Sequence, residues 1–135
     1  MDANTRKLVQ QRANRCCEYC RLPEQADPYE TFHIEHIIAR QHGGDEDPAN
    51  LAWSYSRCDH RKGTNLSSLD PDTRTIVEIF HPRQHAWPDH FAIRGARIVG
   101  LTPVGRVTVR LLDMNESRRI RLRRELIQQG EYRVP

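Results

Sequence analysis

The 135-residue chain has no apolar run near membrane-spanning length and no signal-peptide core behind Met1. Both absences point to a cytoplasmic protein with no membrane partner. It has no internal repeat and no low-complexity linker. Cysteine is scarce, at four residues, and in a cytoplasmic chain these read as thiols or metal ligands in preference to disulfides. Excess charge is small as well. Lys and Arg number 21 against 18 Asp and Glu, a net +3, which by itself names no nucleic-acid partner. The charged fraction of 29% and the ordinary apolar content exclude a disordered chain. The length suits one domain, residues 1–135, with a modest core.

The distribution of charge says more than its sum. Arg118, Arg119, Arg121, Arg123 and Arg124 crowd one segment, and Arg57, Arg61 and Lys62 crowd another. Such clusters are footprints for phosphate, although a single run is more commonly a solvated helix face. The element pattern begins with a helix over 5–14, capped by Thr5, with Leu8, Val9 and Ala13 as its apolar stripe. Cys17-x-x-Cys20 follows, a spacing that suits a tight turn presenting two thiolates to one metal. Thr31–Ile38 is a β-rich run, Gly43-Gly44 opens a loop, and Leu51–Ser54 reads as a short returning strand. A short helix is expected from Asp59. Beyond it come a strand over Thr75–Phe80 and a hairpin of Trp87–Ile93 with Ala96–Leu101. Next is a helix started by Thr102-Pro103, then a last helix over 116–129, capped by Asn115 and ended by Gly130.

The chemistry concentrates between Phe32 and Gly63. Hydrolysis of a phosphodiester needs a deprotonated water, a divalent cation against the developing charge, and in-line positioning. His36 is the natural base near neutral pH. Glu35 and Asp59 are hard oxygen donors of the kind Mg²⁺ takes one or two of. Neighbours on a strand point to opposite faces, so Glu35 and His36 share a cleft only where the strand ends or twists.

In order, the chain reads Cys17-x-x-Cys20, Glu35-His36, Gly43-Gly44, Asn50-Leu51, Cys58-Asp59 and Lys62-Gly63, with thirteen residues between His36 and Asn50 and eight between Asn50 and Asp59. This pattern resembles the HNH endonucleases of the ββα-metal (His-Me finger) fold. More loosely, Phe80-His81-Pro82-Arg83, Trp87, Gly100-Leu101-Thr102 and Val104-Gly105-Arg106 resemble the C-terminal part of a bacterial subfamily of small HNH proteins. The resemblance implies an α+β protein: a ββα-metal core over about 15–68, an N-terminal helix, and a C-terminal strand-plus-helix extension over about 74–135. It implies a metal-dependent endonuclease that hydrolyses DNA with one Mg²⁺ or Mn²⁺ ion. His36 would be the general base, Glu35 and Asp59 would hold the cation, and Asn50 would brace the site. Arg40, Arg61 and Lys62 would touch phosphate, with Arg119 and Arg123 as further DNA support, and His33 and His60 are reserves.

Two positions depart from the family pattern. A second C-x-x-C should begin at position 55, where this chain has Tyr55. Cys17, Cys20 and Cys58 then remain as ligands of a structural Zn²⁺, with Cys16 or His60 open as the fourth. If zinc is absent, the Tyr55 ring would plug the space and bond a thiol. Asp59 stands where the family usually has Asn or His, adding negative charge beside Glu35. Together these departures support an alternative, a non-catalytic nucleic-acid-binding module on a decayed HNH scaffold.

Overall fold

The computed structural model describes residues 1–135. Helix α1, Ala3–Arg12, starts two residues before the expected position, because Asp2 is its cap. Asp2 Oδ1 accepts from the Thr5 N–H at 2.7 Å, so Thr5 is held by the cap and does not supply it. Asn14 and Arg15 then take left-handed backbone (φ 54° and 56°) and turn the chain into the Cys17–Leu22 knuckle. The knuckle closes on itself. Cys17 N–H donates to Leu22 O, and Arg21 N–H donates to Cys17 O, both at 2.9 Å.

The ββα unit follows. Strand β1, Phe32–His36, pairs antiparallel with β2, Leu51–Tyr55, in the register Phe32↔Tyr55 to His36↔Leu51. Both strands are short, with Phe32, Ile34, Trp53 and Tyr55 as their aromatic and β-branched residues, and every residue of β2 is buried. Helix α2, Ser56–Lys62, begins directly at the end of β2, three residues earlier than expected.

The extension adds two hairpins and three helices. Strands β3 (Ser67–Leu69) and β4 (Ile76–Glu78) pair around the loop 70–75, and β5 (Phe91–Arg94) pairs with β6 (Arg97–Gly100) around Gly95. The expected first strand of that second hairpin is in part helical: Trp87–His90 forms the short helix α3, with Pro88 in its first turn. Helix α4, Pro103–Leu111, is capped by Thr102, whose Oγ1 accepts from Gly105 N–H at 3.1 Å. Helix α5 spans Ser117–Gln128 and is capped by Glu116. Asn115 has other work, since its side chain bonds both the N–H and the C=O of Ile98 at 2.8 Å and ties the β5–β6 hairpin to the α4–α5 turn.

One buried cluster runs through the motif segment and the extension, from Val9, Tyr19, Phe32, Trp53 and Tyr55 to Phe80, Trp87, Phe91, Ile98, Met114 and Leu126. Polar clasps join the two parts over the knuckle. Trp87 Nε1 donates to Tyr19 O at 2.7 Å, and the Tyr132 hydroxyl donates to Cys20 O at 2.6 Å. No helix is long and apolar enough to cross a membrane.

The arginine-rich α5 departs from expectation most. Arg119 and Arg123 are each 1% exposed and cannot reach a nucleic acid. Past the end of α4 the chain turns through Leu112–Met114, and these two guanidiniums donate to carbonyls of that turn and of the β5–β6 hairpin. Arg119 Nη1 donates to Leu112 O at 2.6 Å and Asp113 O at 3.0 Å, while Arg123 donates to Met114 O and Ala96 O, both at 2.8 Å. In consequence Arg123→Ala, which strands two buried carbonyls and leaves a void, should lower stability by about 2–4 kcal/mol in urea unfolding. A solvated α5 face would show almost no change.

Candidate active site and thiol cluster

The loop between β1 and β2 is held by Asn50. Its Oδ1 accepts from Ile38 N–H at 2.9 Å, and its Nδ2 donates to Ile38 O at 3.0 Å and Asp45 O at 2.9 Å. One amide thus acts as an extra strand residue beside Ile38. The two glycines are required for different reasons. Gly43 has φ 91°, in the left-handed region. Gly44 lies so close to Ile38 that a Cβ would sit 1.7 Å from its carbonyl oxygen and 2.9 Å from Asn50 Nδ2.

His36 and Glu35 diverge at the end of β1, as strand geometry dictates. The His36 side chain is 27% exposed, and its Nε2 lies 2.8 Å from Glu46 Oε1 in the loop that Asn50 braces. Arg40 joins the same Glu46 oxygen. Glu35 points inward and is 4% exposed. The Tyr19 hydroxyl donates to Oε1. Oε2 lies 3.2 Å from Lys62 Nζ, with no hydrogen bond of its own. Burial pushes the Glu35 carboxyl up to about 7, with the Lys62 charge and the Tyr19 hydroxyl opposing and Asp59 reinforcing the rise. Asp59, half-buried on α2, is also raised by burial, against the pull of His33, Lys62, His60 and His36.

Lys62 is a second correction. It is 1% exposed, and Nζ donates to Ile37 O at 2.9 Å and His36 O at 3.4 Å, fastening α2 to the end of β1. A phosphate cannot reach it. Arg40 and Arg61 do remain at the surface, with 72% and 56% of their side chains exposed, paired to Glu46 and Asp113.

Beneath the strands lie the thiols. Cys17, Cys20 and Cys58 are buried, and their sulfurs lie within 4.8 Å of one another. Three sulfurs so spaced fit one zinc ion at bonds of about 2.3 Å. None of the candidate fourth ligands joins them. Cys16 donates from Sγ to Asn14 O at 3.4 Å, and His60 is exposed on the outer side of α2. The Tyr55 side chain is buried, and its hydroxyl donates to Asp27 Oδ2 at 2.7 Å and not to a thiol. Arg119 Nη2 instead lies 2.7 Å from Cys58 Sγ.

Residues 17–65 match the HNH endonuclease family. The matched stretch opens on the first knuckle cysteine and closes just past α2, so it is an HNH ββα unit with a C-x-x-C knuckle. No curated protein and no solved structure matches the chain. The HNH unit marks a nuclease or nucleic-acid-binding function and a divalent-metal site, and its three-thiol cluster fits zinc.

Sequence reasoning missed Glu46, Tyr19 and Asp27. Each is a partner of a motif residue, Glu46 for His36, Tyr19 for Glu35 and Asp27 for Tyr55. Only proximity to the motif could have flagged Glu46 and Tyr19, and Asp27, 28 positions from Tyr55, had no signal.

The Glu35 environment has a measurable signature. Its folded-state value of about 7 lies above the 4.5 of a free glutamate. The stability it contributes is therefore complete below pH 4.5 and is lost as pH rises through 7. Glu35→Gln removes that dependence. The stability of wild type minus that of the variant should fall by on the order of 1–3 kcal/mol across this window and stay flat above it. Urea unfolding at a series of pH values measures the difference, and a pH-independent gap would mean that Lys62 already neutralises Glu35.

Proposed function

We propose that the chain is a cytoplasmic, metal-dependent DNA endonuclease, with residues 1–135 acting as one HNH domain whose core spans about 15–68 and whose extension spans about 74–135. The observation that carries this reading is the state of His36 within the HNH-matched unit. Its Nε2 is engaged by the Glu46 carboxylate at 2.8 Å, and the ring is part-exposed. A carboxylate on Nε2 holds the proton there in the neutral ring and leaves the Nδ1 lone pair to take a proton from water. Glu46 thereby orients His36 and stabilises the imidazolium that forms. Asn50 keeps the intervening loop in register, so that His36 and Glu46 stay apposed.

Glu35 and Asp59 are the residues proposed to hold Mg²⁺ or Mn²⁺. The donor set suits a hard cation: Glu35 Oε2 is a buried oxygen whose partner is the Lys62 ammonium alone, and Asp59 is near enough to raise the Glu35 value further. A bound cation of this type supplies positive charge against the phosphate and the leaving oxygen. Cys17, Cys20 and Cys58 are proposed to hold a structural zinc ion. Arg40 and Arg61 are the exposed cations best placed to meet phosphate.

One observation favours the alternative of a binding module without catalysis. Lys62 places its ammonium 3.2 Å from Glu35 Oε2, where it offers charge compensation that a cation would otherwise supply. Plasmid cleavage with Mg²⁺ or Mn²⁺ separates the two. Wild type should cut, a chelator should stop it, and His36→Ala should lose about 10²–10⁴-fold in rate. Salt-sensitive DNA binding without cutting in any divalent ion establishes the binding module instead. Equal cutting by wild type and His36→Ala removes His36 from the mechanism.

The surface assignment has its own readout. Arg40→Ala and Arg61→Ala should each weaken DNA binding and reduce the slope of log affinity against log salt by about 1. Slopes identical to wild type would remove both from the interface.

A further inference from the structure

Arg119 is a buried cation whose hydrogen bonds reach no carboxylate. Nη1 is taken by the carbonyls of Leu112 and Asp113, Nε has no partner, and Nη2 lies 2.7 Å from Cys58 Sγ. A guanidinium stays charged, and a charge withdrawn from water needs an opposite one nearby. The groups beside it that can carry that opposite charge are the thiols of Cys58, Cys20 and Cys17.

The corner that a fourth cysteine would occupy is filled in a particular way. Tyr55 stands at that register position, with its hydroxyl turned to Asp27. The Arg119 guanidinium carbon lies 5.4 Å from the Tyr55 ring centroid, so the ring provides a face for the guanidinium beside the sulfurs. Cys16 and His60 do not approach. A divalent ion on three thiolates carries one net negative charge, and one guanidinium cancels it. With four thiolates the site would carry two negative charges and Arg119 would leave one uncompensated.

Resting on the zinc reading above, we propose that Arg119 replaces the missing fourth thiolate in function: as an outer partner it donates to Cys58 and balances the charge, so that Cys17, Cys20 and Cys58 hold one zinc ion as a neutral three-thiolate centre. The positioning residue for this centre therefore comes from α5, outside the HNH-matched segment. Metal retention in the knuckle and packing of the C-terminal extension are then linked through one side chain.

The full chain, prepared with zinc, tests this without reference to cleavage. Elemental analysis should give one zinc per chain, and X-ray absorption at the zinc edge should count three sulfur neighbours. Competition with a colorimetric chelator should show zinc held at least about tenfold less tightly in Arg119→Met. Arg119→Lys, which keeps the charge and loses the fork, should fall between. Four sulfurs in wild type would overturn the proposal, because a further cysteine would then close the site. Zinc affinity equal to wild type in Arg119→Met and Arg119→Lys would overturn it too, with the zinc reading intact. Should Arg119→Met fail to fold, Arg119→Lys and the wild-type sulfur count decide. No zinc in wild type would defeat the zinc reading, and the proposal with it.

Discussion

A single buried guanidinium sits where four parts of the chain meet. Arg119 comes from α5, donates to the Leu112 and Asp113 carbonyls just past α4, donates to Cys58 on α2, and lies over the Tyr55 ring at the end of β2. Removing its partners from any side leaves a charge in a dry interior, which folded proteins tolerate poorly. The extension is for that reason part of what holds the HNH unit in shape. Trp87 on the Tyr19 carbonyl and Tyr132 on the Cys20 carbonyl add to the same seam.

The site above the seam is built from one elementary fact, that neighbouring strand residues face opposite ways. Glu35 turns into the interior, where Tyr19 and Lys62 receive it, and His36 turns toward solvent, where Glu46 receives it. The two halves of an acid–histidine pair therefore live in different dielectric surroundings. Burial raises the carboxyl of Glu35 toward neutral pH. A group titrating there responds to small changes in charge nearby, whether from Lys62, from Asp59 or from a bound cation.

Basic residues divide by position and not by type. Arg40 and Arg61 have exposed heads, while Lys62, Arg119 and Arg123 are buried donors to backbone carbonyls. Clustering along the chain could not separate them. Their spacing on α5 carries the distinction only faintly: Arg119, Arg123 and Leu126 share one buried stripe, and Arg121 and Arg124 lie outside it. A helix face that alternates arginine with leucine looks solvated until the neighbouring turn and hairpin supply carbonyls for the guanidiniums.

The order strand, glycine loop, strand, helix is legible in local signals, the apolar runs and Gly43-Gly44, whereas the caps are not, since Asp2 and Glu116 cap α1 and α5 in place of Thr5 and Asn115. The sequence by itself also placed the thiols, His36, Asn50 and Asp59 in one segment. Local patterns are legible since their physics acts over a few residues. Tertiary structure alone decided which charges are buried, that Glu46 serves His36, that Asp27 takes the Tyr55 hydroxyl, and that Arg119 reaches Cys58. Those contacts join residues as far as 61 positions apart. They depend on which unsatisfied carbonyl, thiol or carboxylate the fold brings near, and no periodicity along the chain records that.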